Sequence, residues 1–250
     1  MNRFMNNKEI ISIGEAAKLL GVSQQTLRRW DEKGLFSSMR LNPVGNRYYH
    51  RQSIESFIRK KTMKLFRMAE NWASNPMGAE PEADFYCQNS GVFKARIDKM
   101  EILLMRVRGL EKLYSIINST AGEIGNNSFD HNLVNWPDIP GIFFGYDLDQ
   151  RYIVLADRGQ GILATLLRVR PELKSHAEAL TLAFTETITG RAPERRGNGL
   201  KYVRKNITKY PLTLLFRTGD AELSLKQGEI DLAIKSSEKE IRGCLALITF

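Results

Sequence analysis

The net positive charge of this chain is confined to its N-terminal segment, and that confinement divides the sequence before any motif is read. Of 37 Lys/Arg and 28 Asp/Glu in 250 residues, residues 1–68 hold 14 and 5, which leaves 23 of each elsewhere. The formal charge of +9 therefore sits on one segment attached to a neutral body. A basic module of this kind implies a polyanionic partner for the module alone. The stretch ASNPMGAEPEADFYCQNSG (73–91) gathers Pro, Gly, Asn and Ser and reads as a linker or irregular connector. The expected organisation is a basic module over 8–72, a linker over 73–91 and a larger domain over 92–250.

No apolar run approaches the roughly 20 residues that span a bilayer, and MNRFMNNKEI lacks the apolar stretch of a secretory signal. Cys87 and Cys244 are the only cysteines, which excludes a disulfide framework or a Cys-based metal cage. The expectation is a soluble, cytoplasmic chain with no membrane partner.

Within the basic module, SIGEAAKLLGVSQQTLRRWDEKGLF (12–36) reads as two short helices. Gly21 ends the first, and Ser23 is placed to cap the second. Thr26, Leu27 and Trp30 anchor that second helix, which leaves Gln24, Gln25, Arg28 and Arg29 facing outward. Amide and guanidinium side chains on an exposed helix suit base edges and phosphates in a major groove. A turn at Pro43-Val44-Gly45-Asn46 follows, flanked by Arg40 and Arg47 and then Tyr48 and Tyr49. Gly21-Val22-Ser23, Thr26-Leu27-Arg28, Gly34-Leu35 and Asn46-Arg47-Tyr48-Tyr49 resemble the winged helix-turn-helix of the MerR family over about 50 residues. The resemblance implies double-stranded DNA as partner. Arg28, Arg47 and Tyr48 would meet the phosphate backbone and Gln24 and Gln25 the bases, with Arg29 and Arg40 on the same surface. Tyr49 is either part of that surface or core.

Beyond the linker, Phe93, Ile97, Met100, Leu104, Val107, Leu110, Tyr114 and Ile117 recur at spacings of three and four. This is the apolar stripe of a long helix, packed on its own domain or forming a dimer seam. Further on, LADRGQGI (155–162) sets an Asp before two glycines. Upstream, in AGEIGNNSFDHN (121–132), Glu123, Asn127 and His131 fall at intervals of four, with Asp130 beside them, and a helix puts them on one face. An Asn oxygen can ligate Mg²⁺ shared with phosphates, and a carboxylate one turn earlier can direct a water at a phosphoryl group. Downstream, RRGNGLKYVRKNI (195–207) opens a helix at Gly197 and Gly199, where free N–H groups favour phosphate.

Glu-x-x-x-Asn, Asp-x-Gly-x-Gly and Gly-x-Gly-Leu, in this order, resemble the GHKL superfamily of gyrase-type, chaperone, MutL-type and histidine-kinase ATPases. The implied fold is α+β: a helical winged module, then an α/β two-layer sandwich. The implied cofactors are ATP and Mg²⁺. Asp157 would accept a hydrogen bond from the adenine amino group, and Gly159 and Gly161 would let the backbone lie close to base and ribose. Asn127 would ligate Mg²⁺, with Asp130 and His131 beside it, and Gly197, Asn198, Gly199 and Leu200 would cradle the triphosphate. Residues 162–196, with a helix near Ala177–Phe184, would form a mobile lid over the nucleotide. Glu123 stands as general base or as a support for the metal. Cys244 occupies a position where many members carry Thr, which bears on a secondary adenine contact.

His50 falls in the wing, His131 in the helix of Glu123 and Asn127 and His176 in the expected lid, none with the acidic-flanked pattern of a phosphoacceptor, which disfavours a histidine autokinase. The leading expectation is a dimeric transcriptional regulator whose DNA binding is coupled to ATP. The alternatives are a DNA-stimulated ATPase effector and a serine/threonine kinase of the anti-sigma-factor type acting on a protein partner.

Overall fold

The structure, a computed structural model, describes residues 10–40, 45–187 and 199–250. The chain is α+β and divides into two compact units, Met1–Lys64 and Leu65–Phe250.

The smaller unit runs β1 (Ile10–Ser12), α1 (Ile13–Leu20), α2 (Gln24–Glu32), β2 (Met39–Arg40), β3 (Arg47–His50) and the start of α3 (Arg51–Ser74). Its strands pair antiparallel in the order β1-β3-β2. Ser12 and Glu15 form a capping box at the start of α1, each satisfying the other's backbone N–H. Gly21 ends α1 at φ +63°, a left-handed conformation that glycine adopts at low cost. The Ser23 hydroxyl then accepts from the Thr26 N–H and starts α2. Ala16, Ala17, Leu20, Leu27, Phe36 and Ile54 form the core with Tyr49, which stacks on Phe36 at 5.3 Å. Tyr49 is a core residue.

The larger unit holds the rest of α3, then β4 (Tyr86–Cys87), α4 (Ser90–Leu104), α5 (Tyr114–Asn132), β5 (Ile142–Asp147) and β6 (Tyr152–Asp157). It continues through α6 (Gly161–Leu166), α7 (His176–Thr185), α8 (Gly199–Lys209), β7 (Thr213–Lys226) and β8 (Ala233–Thr249). Its antiparallel sheet has the order β4-β5-β6-β8-β7, so β8 enters between β6 and β7. Strand alternation gives the sheet two apolar faces. Phe144, Ile153, Leu155 and Phe216 pack with Phe93, Ile117, Leu180 and Val203 of the helices. Phe143, Val154, Ala156 and Leu245 pack on Leu65, Phe66, Ala69 and Ala73 of α3.

Four features differ from the sequence reading. The sheet is covered on both faces, because α3 supplies a third layer. The stretch 73–91 is a built part of the larger unit: Tyr86 pairs with Phe143, Phe85 stacks on Phe143 and Arg96 holds the Ala83 and Asp84 carbonyls. The long helix is two helices, separated by a turn in which Gly109 takes φ +87°. Its stripe is nevertheless buried on its own sheet, with Phe93, Met100, Leu104 and Ile117 at most 1% exposed, so it offers no dimer seam. Lastly, α7 is no loose cover: Leu180 and Phe184 are fully buried, and Phe184 meets Phe216 edge-on. The remainder of that span, 188–196, lies outside the described residues.

Candidate functional site

Three segments far apart in sequence line one cavity in the larger unit. Asn127, Ser128 and His131 come from α5, Asp157 and Gly161 from the end of β6 and the start of α6, and Gly199 and Leu200 from the start of α8. Ile124, Ile162, Leu166 and Phe216 supply apolar walls, and Cys244 stands beside Asp157. A cavity of mostly apolar walls with a few convergent polar groups is the usual form of a small-molecule site.

Asp157 is 2% exposed. Its Oδ2 accepts from the Ser128 hydroxyl at 2.7 Å and its Oδ1 from the Gly159 N–H at 2.8 Å. Burial pushes this carboxyl above its ordinary range, against hydrogen bonds from Ser128, Gly159 and Cys244 that favour the charged form. Gly243 leaves room for it: a Cβ there would fall 2.1 Å from Oδ1. Asn132, which the sequence reading passed over, fixes the turn. Its amide donates to the Ser128 carbonyl and its oxygen accepts from the Gln160 N–H, both at 2.8 Å. A Cβ on Gly159 would fall 2.0 Å from the Asn132 amide, so Gly159 is small in order to pack on Asn132. It does not line the cavity, whereas Gly161, at φ +74°, does.

The helix spacing of four holds for Glu123, Asn127 and His131. A Cβ on Gly199 would lie 2.8 Å from Glu123 Oε2 and 2.9 Å from the Asn127 amide, so the start of α8 closes on this face of α5. His131 lines the cavity, and burial, with the nearby Arg168 charge, lowers its pKa and favours neutral imidazole. Asp130 departs from expectation, since it points outward and does not line the cavity. Gly197 and Asn198 lie outside the described residues. Also unforeseen is Arg158, a fully buried guanidinium next to Asp157. Its Nε donates to the two Asp138 oxygens at 3.2 and 3.1 Å, and Nη1 donates to the Trp72 carbonyl. No sequence signal separates such an arginine from a solvated one.

In the smaller unit, Gln24, Gln25, Arg28 and Arg29 are exposed along α2 as expected, and Arg40 is exposed on β2. Arg47 differs. Its guanidinium donates to Asp31 at 2.7 Å and to Glu32 at 3.3 Å, so it ties β3 to α2 rather than standing outward. Burial raises the Asp31 carboxyl, but hydrogen bonds from Arg47 and from the Ser38 N–H and hydroxyl outweigh it and hold the pKa down at about 2. Tyr48, also on β3, is half-buried. The turn residues 41–44 lie outside the described residues. Among the described residues no helix is long and apolar enough to cross a membrane.

Comparison with known proteins puts a family match in this smaller unit. The chain is 42% identical over 50 residues to the Type II methyltransferase M.Eco47II of Escherichia coli. That stretch is 20% of this chain and 12% of the methyltransferase. Residues 12–49 match the family described as MerR family regulatory protein, a span that runs from the Ser12 cap to the core Tyr49. The chain thus carries a DNA-binding helix-turn-helix domain of the MerR kind at residues 12–49.

Proposed function

We propose that this chain is a DNA-binding regulator whose larger unit binds ATP with Mg²⁺ in the cavity over Asp157, and that nucleotide sets its DNA-binding state. The observation that carries the reading is the convergence of Asp157, Asn127 and Gly199 on one cavity. A buried carboxylate whose remaining acceptor capacity faces an apolar cleft selects a ligand with an N–H donor on a flat apolar body. The adenine amino group fits that description, with Ile124, Ile162, Leu166 and Phe216 against the ring. Gly199 leaves a space beside Glu123 and Asn127 that a Cβ would fill, and a phosphate suits the start of a helix there. Among the described residues no group of three His, Cys, Asp or Glu could hold a metal. Mg²⁺ would rest on the Asn127 oxygen and phosphate oxygens, and it would neutralise their charge.

A second reading, hydrolysis, is favoured by Glu123, whose carboxylate lies beside Gly199 where a water could be directed at a phosphoryl group. Two protomers reading two half-sites would pair through a surface other than the 93–117 stripe.

The test is calorimetric binding of ATP and GTP with Mg²⁺, followed by turnover with and without duplex DNA. Asp157→Asn keeps the shape and should fold, yet it turns an N–H donor toward the adenine amino group. ATP affinity should fall by at least about tenfold, the weight of one buried hydrogen bond. GTP, which presents a carbonyl to Asp157, should bind more weakly than ATP. Turnover abolished by Glu123→Ala would favour the effector reading, and binding without turnover favours the regulator. Equal binding of ATP by wild type and Asp157→Asn would sink the assignment.

A further inference from the structure

Alternation along β6 sends neighbouring side chains to opposite faces of the sheet. Asp157 faces the cavity, whereas Arg158 passes to the other face and ends on α3, where it donates to the Trp72 carbonyl and lies 5.9 Å over the Trp72 ring. Arg158 is fully buried, and a buried guanidinium holds its place only when its donors are satisfied. Asp138 supplies the counter-charge and is shared: Arg242 also donates to Asp138 Oδ2, at 2.8 Å. Arg242 precedes Gly243, whose missing side chain leaves the room that Asp157 occupies. Thus each of the two residues in contact at the back of the cavity, Asp157 and Gly243, has a neighbouring arginine on the same Asp138 carboxylate. The Trp72 indole N–H donates to the Ala79 carbonyl at 2.6 Å, and a Cβ on Gly78 would fall 3.0 Å from Asp138. The end of α3 and the loop after it therefore share the junction.

We propose that Arg158, Asp138 and Arg242 form a coupling junction through which occupancy of the cavity over Asp157 is transmitted to α3, the helix that begins at Arg51 in the helix-turn-helix unit. Arg158 is a positioning residue and touches no ligand. A ligand drawing on Asp157 acts on the residue next to Arg158, whose rigid planar fork ties that turn to Asp138 and to the Trp72 carbonyl. Nucleotide can act only through a difference between its affinities for two arrangements of this junction. The inference rests on the nucleotide reading of the cavity.

The experiment is hydrogen exchange on the full chain, with and without saturating Mg²⁺ and a non-hydrolysable ATP analogue. Peptides covering 123–132 and 155–166 report the cavity, and peptides covering 65–79 report α3 and its loop. In wild type both sets should gain protection. In Arg158→Lys, which keeps the charge and loses the fork, the cavity peptides should still respond, with affinity within about threefold of wild type. The 65–79 response should be lost. If Arg158→Lys does not fold, Asp138→Asn takes its place, and the wild-type arm needs no variant. Protection of the cavity peptides with 65–79 unchanged in wild type overturns the coupling and leaves the nucleotide reading standing. A 65–79 response that persists in the folded variants also overturns it. No protection anywhere overturns both.

Discussion

Asp31 shows how one carboxylate organises the helix-turn-helix unit. It receives Arg47 of β3 and both the N–H and hydroxyl of Ser38, so helix, loop and strand meet on one side chain. Because its pKa is lowered to about 2 in the folded state, its stabilisation is complete above the unfolded value near 4 and is lost as pH falls toward 2. Asp31→Asn should weaken the unit by about 1–3 kcal/mol at pH 7, the scale of a broken charge-assisted hydrogen bond. It should also flatten the pH dependence between those values. Amide exchange of α2 measured across that range checks both. The expectation of a phosphate contact at Arg47 comes from the MerR resemblance, which assigns the wing arginine that role. What recruits it lies 16 residues away, and a partner at that distance leaves no local pattern.

At the scale of elements, the glycines of the larger unit fall into two physical kinds. Gly243 faces the Asp157 carboxylate and the Gly159 backbone nitrogen, where a Cβ would fall 2.1 and 2.6 Å away. Gly243→Ala should displace Asp157, cost about 1–3 kcal/mol as an overpacked site does, and abolish ligand binding. Gly122 lies within α5 and would bring a Cβ only to 3.5 Å of Ile97. Gly122→Ala should therefore stabilise the chain by about 0.5–1 kcal/mol. Urea melts of the two variants against wild type decide the contrast. Motifs of this kind were legible because helix period and glycine spacing are local. The α5 face of Glu123, Asn127 and His131 could be read directly. β4 could not: it is two residues long and exists because Tyr86 and Cys87 find Phe143 and Ile142 on β5. The same holds for the break at Gly109, since the apolar stripe runs on across it.

For the molecule as a whole, the division between the units falls within α3 rather than in the Pro- and Gly-containing stretch after it. The second half of α3 covers Phe143, Val154, Ala156 and Leu245, a sheet face that the sequence reading left without a partner. A fragment of residues 65–250 should be soluble and melt cooperatively. A fragment of residues 92–250 lacks α3 and β4 and should aggregate, because that apolar face is left open. Light scattering and calorimetry of the two fragments test this. Equal behaviour of both would return the boundary to 73–91.

The insertion of β8 between β6 and β7 also sets an order in time. Every residue of the helix-turn-helix unit leaves the ribosome long before β8, whose Gly243 and Cys244 complete the back of the cavity. At ~5–20 residues per second, that interval is on the order of ten seconds or more. A nascent chain thus passes through a stage in which its DNA-reading part is formed while its pocket is still unfinished.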